Sequence, residues 1–167
     1  MYVYVNVGQT GAGKTTFVKK KILNRLLTGE YDIKPFIFDP NGEYIEYGSE
    51  KNTSFKDFIN ECMNREKSLI VFEEATIFFR HGVNSEQIMN MLVRKRHTQN
   101  IIVLNFHALR QVPAHILDFT DYLTLFRTKD NPNIIYNRFK DYPEVIQLYE
   151  VLSSVKDEKY FNKTIQL

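Results

Sequence analysis

Apolar residues along this chain gather into short unbroken runs that alternate with longer stretches of one-sided hydrophobicity. Residues 2–7, Pro35–Asp39, Ser68–Phe72, Ile101–Asn105 and Tyr122–Phe126 are the short runs. Runs apolar throughout, with no polar alternation, predict strands covered on both faces. The stretches between them carry helical spacing. Residues 14–27 place Val18, Ile22 and Leu26 along one side, and 54–65 place Phe55, Phe58, Ile59 and Cys62 at i, i+3, i+4 and i+7, with Ser54 in position to cap. Residues 85–97 turn Ile88, Met91 and Leu92 to one face, and Pro113–Phe119 reads as one or two helical turns. Pro143 opens a last helix with Val145, Leu148, Tyr149 and Leu152 on one side. From Ser153 onward the pattern is polar and without a decisive period. Strands separated by helices predict an α/β fold of three layers, a mainly parallel five-stranded sheet between helical faces. No repeat, low-complexity tract or linker interrupts the pattern. The expectation is a single domain over 1–167, with a polar tail from about 153.

In a parallel sheet, ligands collect at the carboxyl ends of the strands. The first strand runs into Gly8-Gln9-Thr10-Gly11-Ala12-Gly13-Lys14-Thr15, which fits the phosphate-loop pattern G-x-x-x-x-G-K-[ST] at every fixed position. Its glycines allow successive amide groups to point inward at a phosphate. Lys14 adds a charge near the β- and γ-phosphates, the Thr15 hydroxyl can ligate Mg²⁺, and the helix that follows turns its positive end to the same place. Gln9, Thr10, Gly11, Ala12, Gly13, Lys14, Thr15 and Thr16 are therefore the candidate nucleotide contacts. The third strand ends on Glu73-Glu74. The first carboxylate can hold Mg²⁺ through water, and the second can polarise a water that attacks the γ-phosphate. A pair of acids argues for hydrolysis, because transfer to a small molecule needs no dedicated water activator. Asp39 and His107 close the second and fourth strands, so all the candidates fall at one end of the sheet. Lys14, Glu74 and His107 are the catalytic candidates; Thr15 and Glu73 are the metal candidates.

Composition narrows the partners only a little. Apolar residues make up 43% of the 167 and charged residues 25%, as in an ordinary globular protein. A net charge of +2 does not announce a nucleic-acid binder. Lys19, Lys20, Lys21 and Arg25 crowd the first helix and read as a solvated face in preference to a DNA contact. Cys62 is the one cysteine, sits in an apolar stripe, and suggests a reducing compartment. His81, His97 and His115 lack metal-ligand spacing with one another or with Cys62, so no zinc is assigned. The chain opens directly on a strand, which leaves no cleavable signal, and no apolar run approaches the ~20 residues that span a bilayer. A cytoplasmic protein without a membrane segment of its own is expected.

The ordered set of motifs resembles the FtsK–HerA group of DNA-pumping ATPases, especially its small viral genome-packaging branch. The resemblance rests on Val7–Thr15, on the turn Asp39-Pro40-Asn41-Gly42-Glu43-Tyr44, which is similar to that group's D-x-x-G-E-Y, and on Ile70-Val71-Phe72-Glu73-Glu74-Ala75. It continues through the basic Arg94-Lys95-Arg96-His97, the strand Ile101–His107, the turn Leu109-Arg110-Gln111-Val112-Pro113 and the strand end Leu125-Phe126-Arg127, and covers roughly residues 2–130. Two positions depart from the group's pattern: Glu73 stands where Asp is usual, and His107 where Gln is usual.

The resemblance implies a P-loop NTPase of the additional-strand-catalytic-glutamate type. Its sheet order would be 5-1-4-3-2, with the fourth strand between the phosphate-loop strand and the acidic one. It further implies ATP hydrolysis with Mg²⁺, His107 as a γ-phosphate sensor, and a ring, commonly a hexamer, threading double-stranded DNA. Each site would be completed by an arginine of the neighbouring subunit. Arg96 is the first choice and Arg127 the second, with Arg94 and Arg80 further candidates. A portal or capsid protein would be the docking partner, in the host cytoplasm or on the virion. Three other readings stay open: a zonula-occludens-toxin-like ATPase assisting filamentous phage assembly, a small-molecule P-loop kinase, and a nucleotide-binding module without catalysis.

Overall fold

The computed structural model describes residues 1–29, 32–49, 54–80, 85–155 and 160–167. His81 lies outside the described residues, and so does the side chain of Arg80. Strand β1 (Val3–Val7) leads into α1, a continuous helical run of Lys14–Phe17, wider π turns at Val18–Leu23, and Asn24–Leu27. There follow β2 (Lys34–Phe38), α2 (Phe55–Cys62), β3 (Ser68–Phe72), α3 (Ala75–Arg80), α4 (Ser85–Arg94) and β4 (Ile101–Phe106). Two 3₁₀ segments, Leu109–Gln111 and Ala114–Phe119, precede β5 (Tyr122–Phe126), and α5 (Pro132–Arg138), α6 (Pro143–Ser154) and β6 (Asn162–Gln166) complete the chain.

The strands form one sheet in the order β2-β3-β4-β1-β5-β6. All neighbours from β2 to β5 run parallel, and β6 lies antiparallel on β5 with Asn162 opposite Phe126. The five-strand order 5-1-4-3-2 is thus present, with β4 between β1 and β3, and a sixth strand extends it. That strand comes from the region whose sequence pattern is polar and undecided. An edge strand needs apolar residues on one face only, and β6 has just Ile165 packed on the core.

Successive residues of the buried strands face opposite sides, which divides the core in two. Leu69 and Val71 of β3 pack with Val103 of β4 and with Val18, Ile22 and Leu23 of α1. Ile70 and Phe72 point the other way, into the larger cluster with Phe58, Ile59 and Cys62 of α2, Phe78 of α3, Ile88, Met91 and Leu92 of α4, and Val145 and Leu148 of α6. Helices therefore cover both faces, as the unbroken strand runs require. Cys62 is buried in this cluster, and burial pushes its thiol well above the usual range. Helix α4 stops at Arg94, short of the predicted end, and Lys95 turns inward so that Nζ donates to the Phe119 carbonyl at 2.9 Å and pairs with Asp121 at 2.5 Å.

Phe58 is fully buried at the centre of the larger cluster. Its ring stacks on Phe36 at 4.5 Å and meets Phe38 at 5.4 Å and Phe72 edge-on at 5.3 Å. Phe58→Ala removes all these contacts and leaves a cavity. It should lower unfolding free energy by ~3–5 kcal/mol, read as an earlier urea midpoint with an unchanged slope.

Candidate nucleotide site

The parallel sheet brings the carboxyl ends of β1, β3 and β4 side by side. The phosphate loop leaves β1 anchored on both flanks: Gly8 N–H donates to the Phe106 carbonyl and Gln9 N–H to the Arg127 carbonyl, each at 3.0 Å. Gly8 has no room for a side chain, since a Cβ there would lie 2.5 Å from Cβ of Phe126. Gly13 adopts φ 98°, a left-handed conformation that favours glycine, and α1 starts at the next residue. Lys14 folds into the cradle so made, with Nζ donating to the Gly8 carbonyl at 2.6 Å and the Gln9 carbonyl at 3.3 Å. Burial lowers its pKa, while Glu73, Glu74 and Glu43 pull the other way.

Glu73 is 5% exposed and is held by groups from separate elements. The Thr15 hydroxyl donates to Oε1 at 2.7 Å, while Tyr44 Oη and Asn105 Nδ2 each donate to Oε2 at 2.5 Å. Asn6 of β1 supports Asn105 in turn, its Nδ2 donating to Oδ1 at 2.9 Å. Burial raises the Glu73 pKa, and the hydrogen bonds from Tyr44, Thr15 and Asn105 counter it. Tyr44 is placed by the turn after β2. There the Asp39 carboxylate accepts from the Glu43 and Tyr44 amides, both at 2.8 Å, and from the Ser49 hydroxyl at 2.7 Å. Burial and the adjacent Glu73 together push the Tyr44 phenol far above its ordinary range. The same turn brings Glu43 Oε2 to 3.4 Å from Thr15 Oγ1.

Glu74 separates from Glu73 at the strand end and turns toward β4. Its Oε2 lies 2.6 Å from Nε2 of His107, which immediately follows that strand. The Nδ1 of His107 is buried without a hydrogen-bond partner among the described residues. Beyond His107, the buried Asp130 fixes the next turn by accepting from the Leu109 amide at 2.7 Å and pairing with Arg110 at 2.9 Å.

The sequence-predicted residues thus divide into groups. Lys14, Thr15, Glu73, Glu74 and His107 converge, with Gln9–Thr16 around them. Arg127 lies beside the loop through its backbone, with an exposed side chain. Arg96 is also exposed but precedes the amino end of β4, at the opposite end of the strands from the phosphate loop. Sequence reasoning missed Asn6 and Asn105, and found no role for Tyr44. A signal was present: Asn6 and Asn105 are the polar interruptions of otherwise apolar strands, and they sit directly opposite each other in register.

A strand–loop–helix cradle with a buried acid on the second strand over defines a P-loop nucleoside triphosphatase. The family model for the central domain of the helicase HerA matches residues 7–142. The chain belongs to that family and is an ATPase. Among solved structures, it is similar to the genome packaging NTPase B204 from Sulfolobus turreted icosahedral virus 2 in complex with AMPPCP. The TM-score is 0.80 at 18% identity, covering 99% of this chain and 92% of that one. The ATP-gammaS complex of the same NTPase gives 0.77 at 18% identity, covering 99% and 91%. B204, the DNA-packaging ATPase from Sulfolobus Turreted Icosahedral Virus, gives 0.74 at 17% identity, covering 99% and 92%. At these identities the likeness establishes the fold. No curated protein matches the chain.

Tyr44→Phe keeps the buried ring and removes one donor from Glu73. It should destabilise the fold by roughly 1–3 kcal/mol, the cost of a hydrogen bond lost at a buried acid. Unfolding in urea measures it, and an unchanged midpoint would show that Tyr44 does not hold the carboxylate.

Proposed function

We propose that this ATPase is a genome-packaging motor that moves double-stranded DNA as a ring, with a hexamer the expected form. The observation that carries the reading is the 2.7 Å contact between Thr15 and Glu73, which joins the phosphate loop to the acidic strand across β4. The B204 proteins, described as packaging enzymes and seen with triphosphate analogues, support it through a shared fold. The whole chain, 1–167, would act as one ATPase domain.

In this reading Gln9–Thr16 surround the phosphates and Lys14 leaves its carbonyl partners for the β- and γ-phosphate oxygens. The donors at Thr15 and Glu73 are hard oxygens, which suit Mg²⁺, and the nearby Glu43 adds another. Once bound there, Mg²⁺ supplies positive charge against the triphosphate. Glu74 is the general base: it is the acid free of the Glu73 network, and it takes the proton of the attacking water. His107 holds the same carboxylate, so displacement of the end of β4 and orientation of the base are linked. This contact supports the sensor role. Arg96 lies before the amino end of β4 while its own loop lies at the carboxyl end of β1, a placement that fits a finger acting on a neighbour. Arg127 is the second choice. DNA contacts in the ring would be mainly to phosphate, giving grip without sequence reading, and a portal or capsid protein would be the docking partner.

ATPase rate measured against protein concentration, with and without duplex DNA, tests this directly. Turnover per chain should rise with concentration and rise again with DNA; a rate indifferent to duplex of any length contradicts translocation. Glu74→Gln should retain ATP binding and lose turnover by about 10²-fold or more. Mixing it with Arg96→Ala protein should restore part of the rate, since one mixed interface then holds both groups. Absence of rescue leaves Arg96 as ordinary surface charge.

A further inference from the structure

Beside the phosphate loop lies a cleft of about 350 Å³ that the phosphate chemistry does not use. Its volume is within the ~300–1,000 Å³ of small-molecule sites. One wall is Ala12, Gly13 and Thr16, at the point where the loop passes into α1. The floor is aromatic: Phe17 of α1 meets Phe126 of β5 edge-on, with centroids 5.6 Å apart. The opposite wall is Tyr160, just before β6. Its ring reaches back over the loop, so that a Cβ on Gly13 would lie 3.4 Å from Cδ1 of Tyr160. Tyr160 is 62% exposed as a residue and lines the cleft from this side. Asn162 completes the lining. Its Nδ2 donates to the Tyr160 carbonyl at 3.1 Å, which fixes the amide and leaves Oδ1 to accept from a further donor.

The occupant follows from position and chemistry. The cleft opens from the residues that surround the phosphates, so whatever fills it can be covalently joined to them. Flat aromatic walls suit a planar ring, and a fixed carbonyl oxygen suits an amino group on that ring. We propose that this cleft is the base subsite of the nucleotide, with Tyr160 stacking on adenine and Asn162 accepting from its exocyclic amine. A guanine would present a carbonyl at the same place, oxygen against oxygen, and the site therefore selects ATP over GTP. Lys20 and Lys21, a turn further along α1, line the same cleft. The tail strand β6 thereby gains a purpose: it carries the base-reading groups to the loop. This inference rests on the phosphate-loop reading.

Calorimetric binding of ATP, GTP and inorganic tripolyphosphate to the full chain and to Tyr160→Ala, Tyr160→Phe and Asn162→Ala separates the two. Tyr160→Ala should bind ATP about tenfold more weakly, the order expected for one lost base–aromatic stack, and should bind tripolyphosphate as the unaltered chain does. Equal tripolyphosphate affinity also shows that the variant is folded. Tyr160→Phe should retain ATP affinity, and Asn162→Ala should bring ATP and GTP toward equal binding. If Tyr160→Ala binds ATP like the unaltered chain, or if the unaltered chain does not distinguish ATP from GTP, the base subsite is refuted while the phosphate loop stands. If the unaltered chain binds neither ATP nor tripolyphosphate, the phosphate-loop reading fails and the base subsite fails with it.

Discussion

A carboxylate that is taken out of water must find donors, and Glu73, 5% exposed where three elements meet, makes that demand at the centre of the site. Left unpaired, a buried charge costs several kcal/mol even after relaxation. The donors that meet it come from α1, from the turn after β2 and from β4. None of these is near Glu73 in sequence, so satisfying one acid fixes how distant parts of the chain stand to one another. The phosphate loop cannot shift relative to β3 without taking Thr15 off the carboxylate. The Asp39–Tyr44 turn cannot open without withdrawing the Tyr44 hydroxyl. The polar network and the apolar core thus agree on one arrangement, and the nucleotide site is its consequence.

Much of this was legible in the sequence. Unbroken apolar runs such as Leu69–Phe72 announce strands covered on both sides, and Phe58, Ile59 and Cys62 announce the face of α2 that covers one of them. The phosphate loop is legible because its backbone geometry admits few residues: Gly8 is pressed against Phe126, and Gly13 must be left-handed. The strand order came through the resemblance to a known family, since no local pattern encodes which strands become neighbours.

What escaped reading did so for physical reasons. Strand β6 is polar because it is an edge, and its pairing to β5 depends on backbone hydrogen bonds that any sequence can make. Helix α5 buries Ile135 but leaves Ile134 and Tyr136 exposed, too weak a stripe to show. Asn105 looks like one polar residue at a strand end until Asn6 is seen opposite it. Tyr44 in isolation is an aromatic near a turn; only the fold reveals that its hydroxyl meets Glu73. Lys95 belongs by sequence to the basic stretch Arg94–His97 and in the fold is buried against Asp121, because α4 ends a turn early. Motifs whose chemistry is local are written in the chain. Those whose partners arrive from elsewhere appear only after folding.

The central claim is that the phosphate loop and the acid pair form one site around a metal-bound triphosphate. A crystal structure of the Glu74→Gln chain with ATP and Mn²⁺ tests it most directly, because anomalous scattering locates the ion independently of the protein. The account predicts an ion peak at the Thr15 hydroxyl and the Glu73 side, with the γ-phosphate facing residue 74. An ion or a triphosphate bound elsewhere, with Thr15 still closed on Glu73, would contradict it.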